Sequence, residues 1–169
     1  NAGLGDFGEF SETELTKDFS IIDTNITSVH VLTKLYLKDM REKDSGKILN
    51  VASIAGFMPG PLMATYYSSK AYIVNLSRAI QKELKEKKSN VKLSVLCPGP
   101  VETNFNNVAG GSFNTKSASS KYVAHYAIDK MFKNKLIIIP TLKIKLAVFM
   151  TRLVPTKLLL KINYNIQNT

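Results

Sequence analysis

Cysteine occurs once in the 169 residues, at Cys97, so no intramolecular disulfide can form and the chain suits a reducing compartment. Histidine occurs twice, at His30 and His125, isolated from each other, and no Cys or His pair has ligand spacing, so no metal site is assigned. No uninterrupted apolar run approaches the roughly 18–20 residues of a membrane span, and no signal-peptide pattern opens the chain. Acidic residues become scarce after residue 115. Residues 1–115 carry 13 basic and 12 acidic side chains, whereas 116–169 carry 10 basic and one acidic, Asp129, which places most of the net charge of +10 in the last third. That third lacks clustered Arg and any nucleic-acid-binding motif, so nucleic acid is not an expected partner. Its charge reads either as a solvated lysine-rich face or as attraction to an anionic surface or substrate. Repeats and low-complexity segments are also missing.

What is present alternates strands with helices. Residues 46–52 and 90–97 are short apolar, partly β-branched runs, read as buried strands, and 136–139 reads as a third. Cys97 falls in the second run and is expected in the core. Residues 66–85 have helical periodicity through Ala71, Val74, Leu76, Ala79, Ile80 and Leu84. Ser11-Glu12-Thr13-Glu14 matches a capping box and predicts a helix start. A second helical stretch runs from Thr27 to Met40, with Asn25 between the two, and 117–133 reads as a further helix. Residues 104–116, rich in Asn, Gly and Ser, read as a loop that either covers a site or is ordinary surface. Pro155 divides residues 141–169, a basic, apolar helical tail. The tail reads either as core or oligomer helices or as a segment lying on anionic lipid.

Gly3-Leu4-Gly5-Asp6-Phe7-Gly8 matches the dinucleotide pattern G-x-G-x-x-G, but no strand precedes it and the next helix signal is separate, so it reads as a glycine-rich loop. The more informative stretch is 53–70. Tyr66 and Lys70 are i and i+4 on one predicted helix, hence on one face. A neighbouring ammonium favours a phenolate, so the pair could serve proton transfer. Ser53 ends the preceding strand, where its hydroxyl could share the same substrate oxygen. A Ser hydrolase is disfavoured, because Ser53 lies in Ala-Ser-Ile-Ala-Gly and neither His is tied to it by a local motif.

This stretch resembles the catalytic segment of the short-chain dehydrogenase/reductase family, Tyr-x-x-x-Lys with a Ser thirteen positions before the Tyr, as Ser53, Tyr66 and Lys70 stand here. Asn1-Ala2-Gly3 is similar to the end of the family's Asn-Asn-Ala-Gly motif, Asn25 falls at its fourth catalytic position, and Pro98-Gly99-Pro100-Val101-Glu102-Thr103 is similar to its Pro-Gly-x-x-x-Thr motif.

The resemblance implies an α/β, doubly wound parallel-sheet Rossmann fold, with residues 1–169 forming its distal part as a single partial domain. It implies NAD or NADP as cofactor and hydride transfer between the nicotinamide and a carbonyl or alcohol substrate. Tyr66 would be the acid or base, and Lys70 would lower the Tyr66 pKa and bind the nicotinamide ribose. Ser53 would orient the substrate oxygen and Asn25 would hold a relay water. Pro98, Gly99 and Val101 would lie near the nicotinamide, Thr103 at its carboxamide, and Asn1, Ala2 and Gly3 by the adenosine side. Ile54, Ala55, Phe57, Met63 and the loop after Thr103 are expected to form an apolar substrate pocket. A cytoplasmic homo-oligomer follows, with peripheral membrane contact through the basic tail as a further possibility. Family members carry the Asn-Ala-Gly motif far from their start, so an upstream segment with a first strand and a glycine-rich turn is expected. The competing expectation is a non-catalytic fragment acting as an interaction or membrane-surface module.

Overall fold

The computed structural model describes residues 3–103, 105, 109 and 117–168. Three strands, β1 (Lys47–Val51), β2 (Lys92–Leu96) and β3 (Ile137–Ile138), form a parallel sheet in the order β1-β2-β3. Lys47 to Val51 lie opposite Lys92 to Leu96 in register, and Val95 and Leu96 lie opposite Ile137 and Ile138. Parallel neighbours need a crossover. The first passes through α3 (Ala64–Glu86), and the second includes α4 (Ser120–Phe132).

The helices cover both faces. Ala52, Val95 and Cys97 pack with Ile73 and Val74 of α3, whereas Leu96 and Ile138 pack with Val123 and Ala127 of α4. Leu93 to Leu96 of β2 are all buried, as a strand covered on both faces requires. The doubly wound α/β architecture expected of the chain is the one observed. Cys97 lies in this core, fully buried, and burial pushes its thiol pKa up to about 12.

Before the sheet, α1 (Leu15–Ile22) runs through a π-turn, Asp23–Thr27, into α2 (Ser28–Glu42). The capping box expected at residues 11–14 is not the helix start. The amides of Glu12 and Thr13 bond to the Glu9 carbonyl in a local turn, and α1 opens at Leu15 with no capping bond from Glu14. Residues 11–13 are thus spent on a turn that precedes the helix. The polar side chain inside β1, Asn50, is buried and satisfied: it accepts from Thr33 Oγ1 of α2 at 3.1 Å and donates to Ser77 Oγ of α3 at 3.1 Å.

The tail divides as the position of Pro155 predicts, into α5 (Leu142–Met150) and α6 (Thr156–Gln167). Of the stretch read as a loop, Phe105 and Ala109 are helical and the other residues of 104–116 lie outside the described residues. Among the described residues no helix is long and apolar enough to cross a membrane.

Candidate active site

In parallel α/β sheets, ligands lie outside the carboxyl ends of the strands. Ser53 stands at that end of β1, and Pro98 and Gly99 at that end of β2, stitched together by the Ile54 amide donating to the Pro98 carbonyl at 3.0 Å. Ser53 then caps a short 3-10 helix, Ile54–Phe57, its Oγ accepting from the Ala55 amide at 3.2 Å. This helix lies on α3 at a separation only glycine allows: a Cβ on Gly56 would meet the Lys70 carbonyl oxygen at 2.7 Å and Val74 Cγ2 at 2.8 Å. The contact sets Ser53 beside the first turns of α3, from which Tyr66 and Lys70 project.

Tyr66 is half-buried under Phe105, the ring centroids 5.1 Å apart. Burial pushes its pKa up to about 12, while a side-chain interaction with Ser53 pulls the other way. Lys70 is 5% exposed, and burial holds its pKa down to about 8. Its Nζ lies 5.6 Å from the centre of the Tyr66 ring, and among the described residues it makes no hydrogen bond or ion pair. Burial is thus the dominant influence on the Tyr66 phenol and holds it above its ordinary value. Gly3 passes close by, where a Cβ would stand 3.1 Å from Lys70 Nζ and 3.7 Å from Asn25 Oδ1.

Asn25 is buried within the π-turn. Its Oδ1 accepts from the Leu4 amide at 2.9 Å, and its Nδ2 donates to the Leu4 carbonyl at 2.8 Å and to Ser69 Oγ at 3.0 Å. Ser69 Oγ in turn donates to the Tyr66 carbonyl at 2.7 Å. One amide thus joins the amino-terminal loop, the π-turn and the turn of α3 that carries Tyr66.

A cavity of about 160 Å³ opens beside Tyr66, lined by Ser53 and by Ile54, Ala55, Met58, Met63, Tyr67 and Phe105, with Gly99 and Pro100 at its rim. Ile54, Ala55 and Met63 were expected here. Phe57 was also expected but packs against the Ala52–Ile73 core instead, because the 3-10 turn directs successive side chains to different sides. Tyr67 was not anticipated as a pocket wall. Its hydroxyl accepts from Gln167 Nε2 of α6 at 2.7 Å, and Asn163 Nδ2 of the same helix donates to the Pro59 carbonyl at 2.8 Å, so the tail closes over the pocket loop. No local pattern announces a contact a hundred residues away in sequence.

Among the residues expected at a cofactor, Gly3, Pro98 and Gly99 border this end of the sheet. Asn1 and Ala2 lie outside the described residues. Val101 and Thr103 do not line the Tyr66 cavity: Val101 bridges to Ala118, and Thr103 is exposed, with Oγ1 near the Val101 carbonyl at 3.4 Å. The arrangement fits the nicotinamide end of such a cofactor on two grounds. Lys70 is a buried donor unclaimed by any described residue, and Gly3 leaves beside it a space that a Cβ would fill.

The family described as short chain dehydrogenase matches residues 1–111. The chain is 30% identical over 131 residues to 2-(S)-hydroxypropyl-CoM dehydrogenase 3 of Xanthobacter autotrophicus, covering 77% of this chain and 51% of that protein. It is 36% identical over 138 residues to the ketoacyl reductase HetN of a Nostoc species, covering 80% and 47%. It thus spans about half the length of these relatives. Among solved structures it resembles a short-chain dehydrogenase/reductase of Burkholderia phymatum in complex with NAD, with a TM-score of 0.79, 20% identity, and coverage of 88% of this chain and 62% of that one. A short-chain dehydrogenase of Sphingobium yanoikuyae in complex with NADPH has a TM-score of 0.77 at 23% identity, covering 84% and 56%. At these identities the two structures speak for the fold, and the family match and the sequence relatives for descent: the chain belongs to the short-chain dehydrogenase/reductase family.

Proposed function

We propose that the protein to which this chain contributes is an NAD(P)-dependent oxidoreductase acting on an apolar carbonyl or alcohol, with Tyr66 as its acid and base. The observation that carries this reading is the convergence of Ser53, Tyr66 and a buried, uncommitted Lys70 at the carboxyl end of the sheet, beside a small apolar cavity. A nicotinamide cofactor, held beside Lys70 and Gly3, would supply the hydride for the carbonyl carbon. Tyr66 donates its proton to the carbonyl oxygen as that oxygen gains charge. Ser53 Oγ accepts from the Ala55 amide and keeps its own hydrogen, shared here with the Tyr66 hydroxyl, to orient the same carbonyl oxygen. A Tyr with a pKa near 12 is fully protonated at neutral pH and ready to act as the acid. Lys70, still mostly protonated at pH 7, stabilises the phenolate left behind, more strongly than in water because both groups are desolvated. Asn25 holds the Tyr66 turn through Ser69 and is a positioning residue in this scheme.

The test is Tyr66→Phe in the whole protein, which keeps the ring and removes the proton donor. General acid catalysis is worth about 10²–10⁴-fold, so carbonyl reduction should fall by at least that range with cofactor affinity little changed. Tyr67→Phe removes a hydroxyl that is occupied by Gln167 and should cost far less. The reverse ranking of the two variants would remove Tyr66 from the role of acid.

A further inference from the structure

Helix α5 reads Leu-Lys-Ile-Lys-Leu-Ala-Val-Phe-Met, and an apolar composition of this kind belongs in a core or at a membrane. Only Val148 of this helix is buried. Leu142, Leu146 and Phe149, at i, i+4 and i+7, form a stripe that is 82%, 61% and 54% exposed. Helix α6 carries a second stripe, Leu158, Ile162 and Ile166, which is likewise exposed. Beside α5, between it, α4 and β3, runs a groove of about 570 Å³ with Ile137, Ile138 and Val148 on its floor. Its walls carry Lys130, Lys133, Lys135, Lys145 and Arg152. Asp129 pairs with Lys130 and Lys133, but among the described residues Lys135, Lys145 and Arg152 have no ion pair.

We propose that the exposed stripes of α5 and α6, together with the cationic groove beside α5, form a docking surface for an anionic phospholipid bilayer. Charge decides the occupant. A second copy of the chain on the same face would bring two sets of these cations together, and like charges opposed in that way repel. A neutral apolar partner would leave the unpaired cations of the groove desolvated, at a cost. An anionic bilayer satisfies both parts: acyl chains take the exposed Leu, Ile and Phe side chains, and phosphate head groups take the Lys and Arg. None of the named groove or stripe residues lines the Tyr66 cavity, so the inference stands whether or not the catalytic proposal does.

The 169-residue chain should float with vesicles containing phosphatidylglycerol in phosphatidylcholine and stay behind with phosphatidylcholine alone. Flotation is the suitable readout because aggregates sink. Raising the salt should release the chain, since head-group attraction is screened within about 8 Å at physiological ionic strength. Lys145→Glu/Arg152→Glu and Leu146→Ser/Phe149→Ser, all at exposed positions, should each reduce the floated fraction at least ten-fold. Equal flotation on neutral vesicles, no flotation on anionic ones, or unchanged flotation of both variants would overturn the proposal. So would loss of self-association in Leu146→Ser/Phe149→Ser without any lipid binding, which would assign the face to a second copy.

Discussion

Lys70 is held charged in a place that disfavours charge, and the consequence is measurable without a substrate. Burial lowers its pKa to about 8, against an ordinary value near 10.4 in the unfolded chain. Below pH 8 both states are protonated and the fold bears the full desolvation cost. Between pH 8 and about 10.4 the unfolded chain binds more protons than the folded one, so this contribution to stability rises with pH. Lys70→Met should therefore stabilise the fold at pH 7, by on the order of 1–3 kcal/mol, and lose that advantage as pH approaches 10. The comparison must be between the two proteins, because the buried Cys97 thiol acts oppositely above pH 9: the unfolded thiol ionises and the folded one does not. Urea melts at several pH values decide it, and an advantage that does not shrink with pH would mean that Lys70 is better solvated than its burial implies. The Tyr66–Lys70 pair was legible in the sequence because i,i+4 geometry is local. The upward shift of Tyr66 was not, because it comes from burial, and long-range folding brings Phe105 and the other apolar walls around the phenol.

At the scale of elements, the polar contacts between layers matter as much as the apolar ones. Asn50 links α2, β1 and α3 through hydrogen bonds to Thr33 and Ser77, all three residues buried. Asn50→Ala leaves both hydroxyls unpaired and should cost about 1–3 kcal/mol, read as a lower urea midpoint with an unchanged slope. A cost near zero would mean that water replaces the amide. Elements whose signal is periodic and self-contained were legible: the helix read as 66–85 is Ala64–Glu86, and the strand read as 90–97 is Lys92–Leu96. The start of α1 was not, since the Glu9 turn takes up the segment in which the capping box was read, and α1 opens only at Leu15. The tail was half legible. Pro155 marked the break between α5 and α6, but the docking of Asn163 and Gln167 on the pocket loop left no local trace.

For the whole molecule the decisive feature is the far edge of the sheet. Among the described residues β1 pairs on one side only, with β2. Along its other flank lies a groove of about 370 Å³ that includes Val29, Leu32, Tyr36, Met40 and Ile48. An unpaired strand beside an apolar groove is a template for another chain. The 169-residue chain made alone should therefore self-associate, with a sedimentation coefficient that rises with concentration. Leu32→Lys, at a half-exposed groove position, should weaken that association by placing a charge where an apolar surface must dock. The same edge bears on cofactor binding. The family's tight anion contact comes from a glycine-rich turn at a helix amino terminus, and the G-x-G-x-x-G match at residues 3–8 does not provide one: Gly3 to Phe7 have no helical structure, and Gly3 faces Lys70. With only the Lys70 side of the cleft to hold it, NADH or NADPH should bind the isolated chain very weakly in a calorimetric titration. A concentration-independent monomer that binds either cofactor at micromolar levels would show that neither the β1 edge nor the non-helical glycine-rich loop limits the chain.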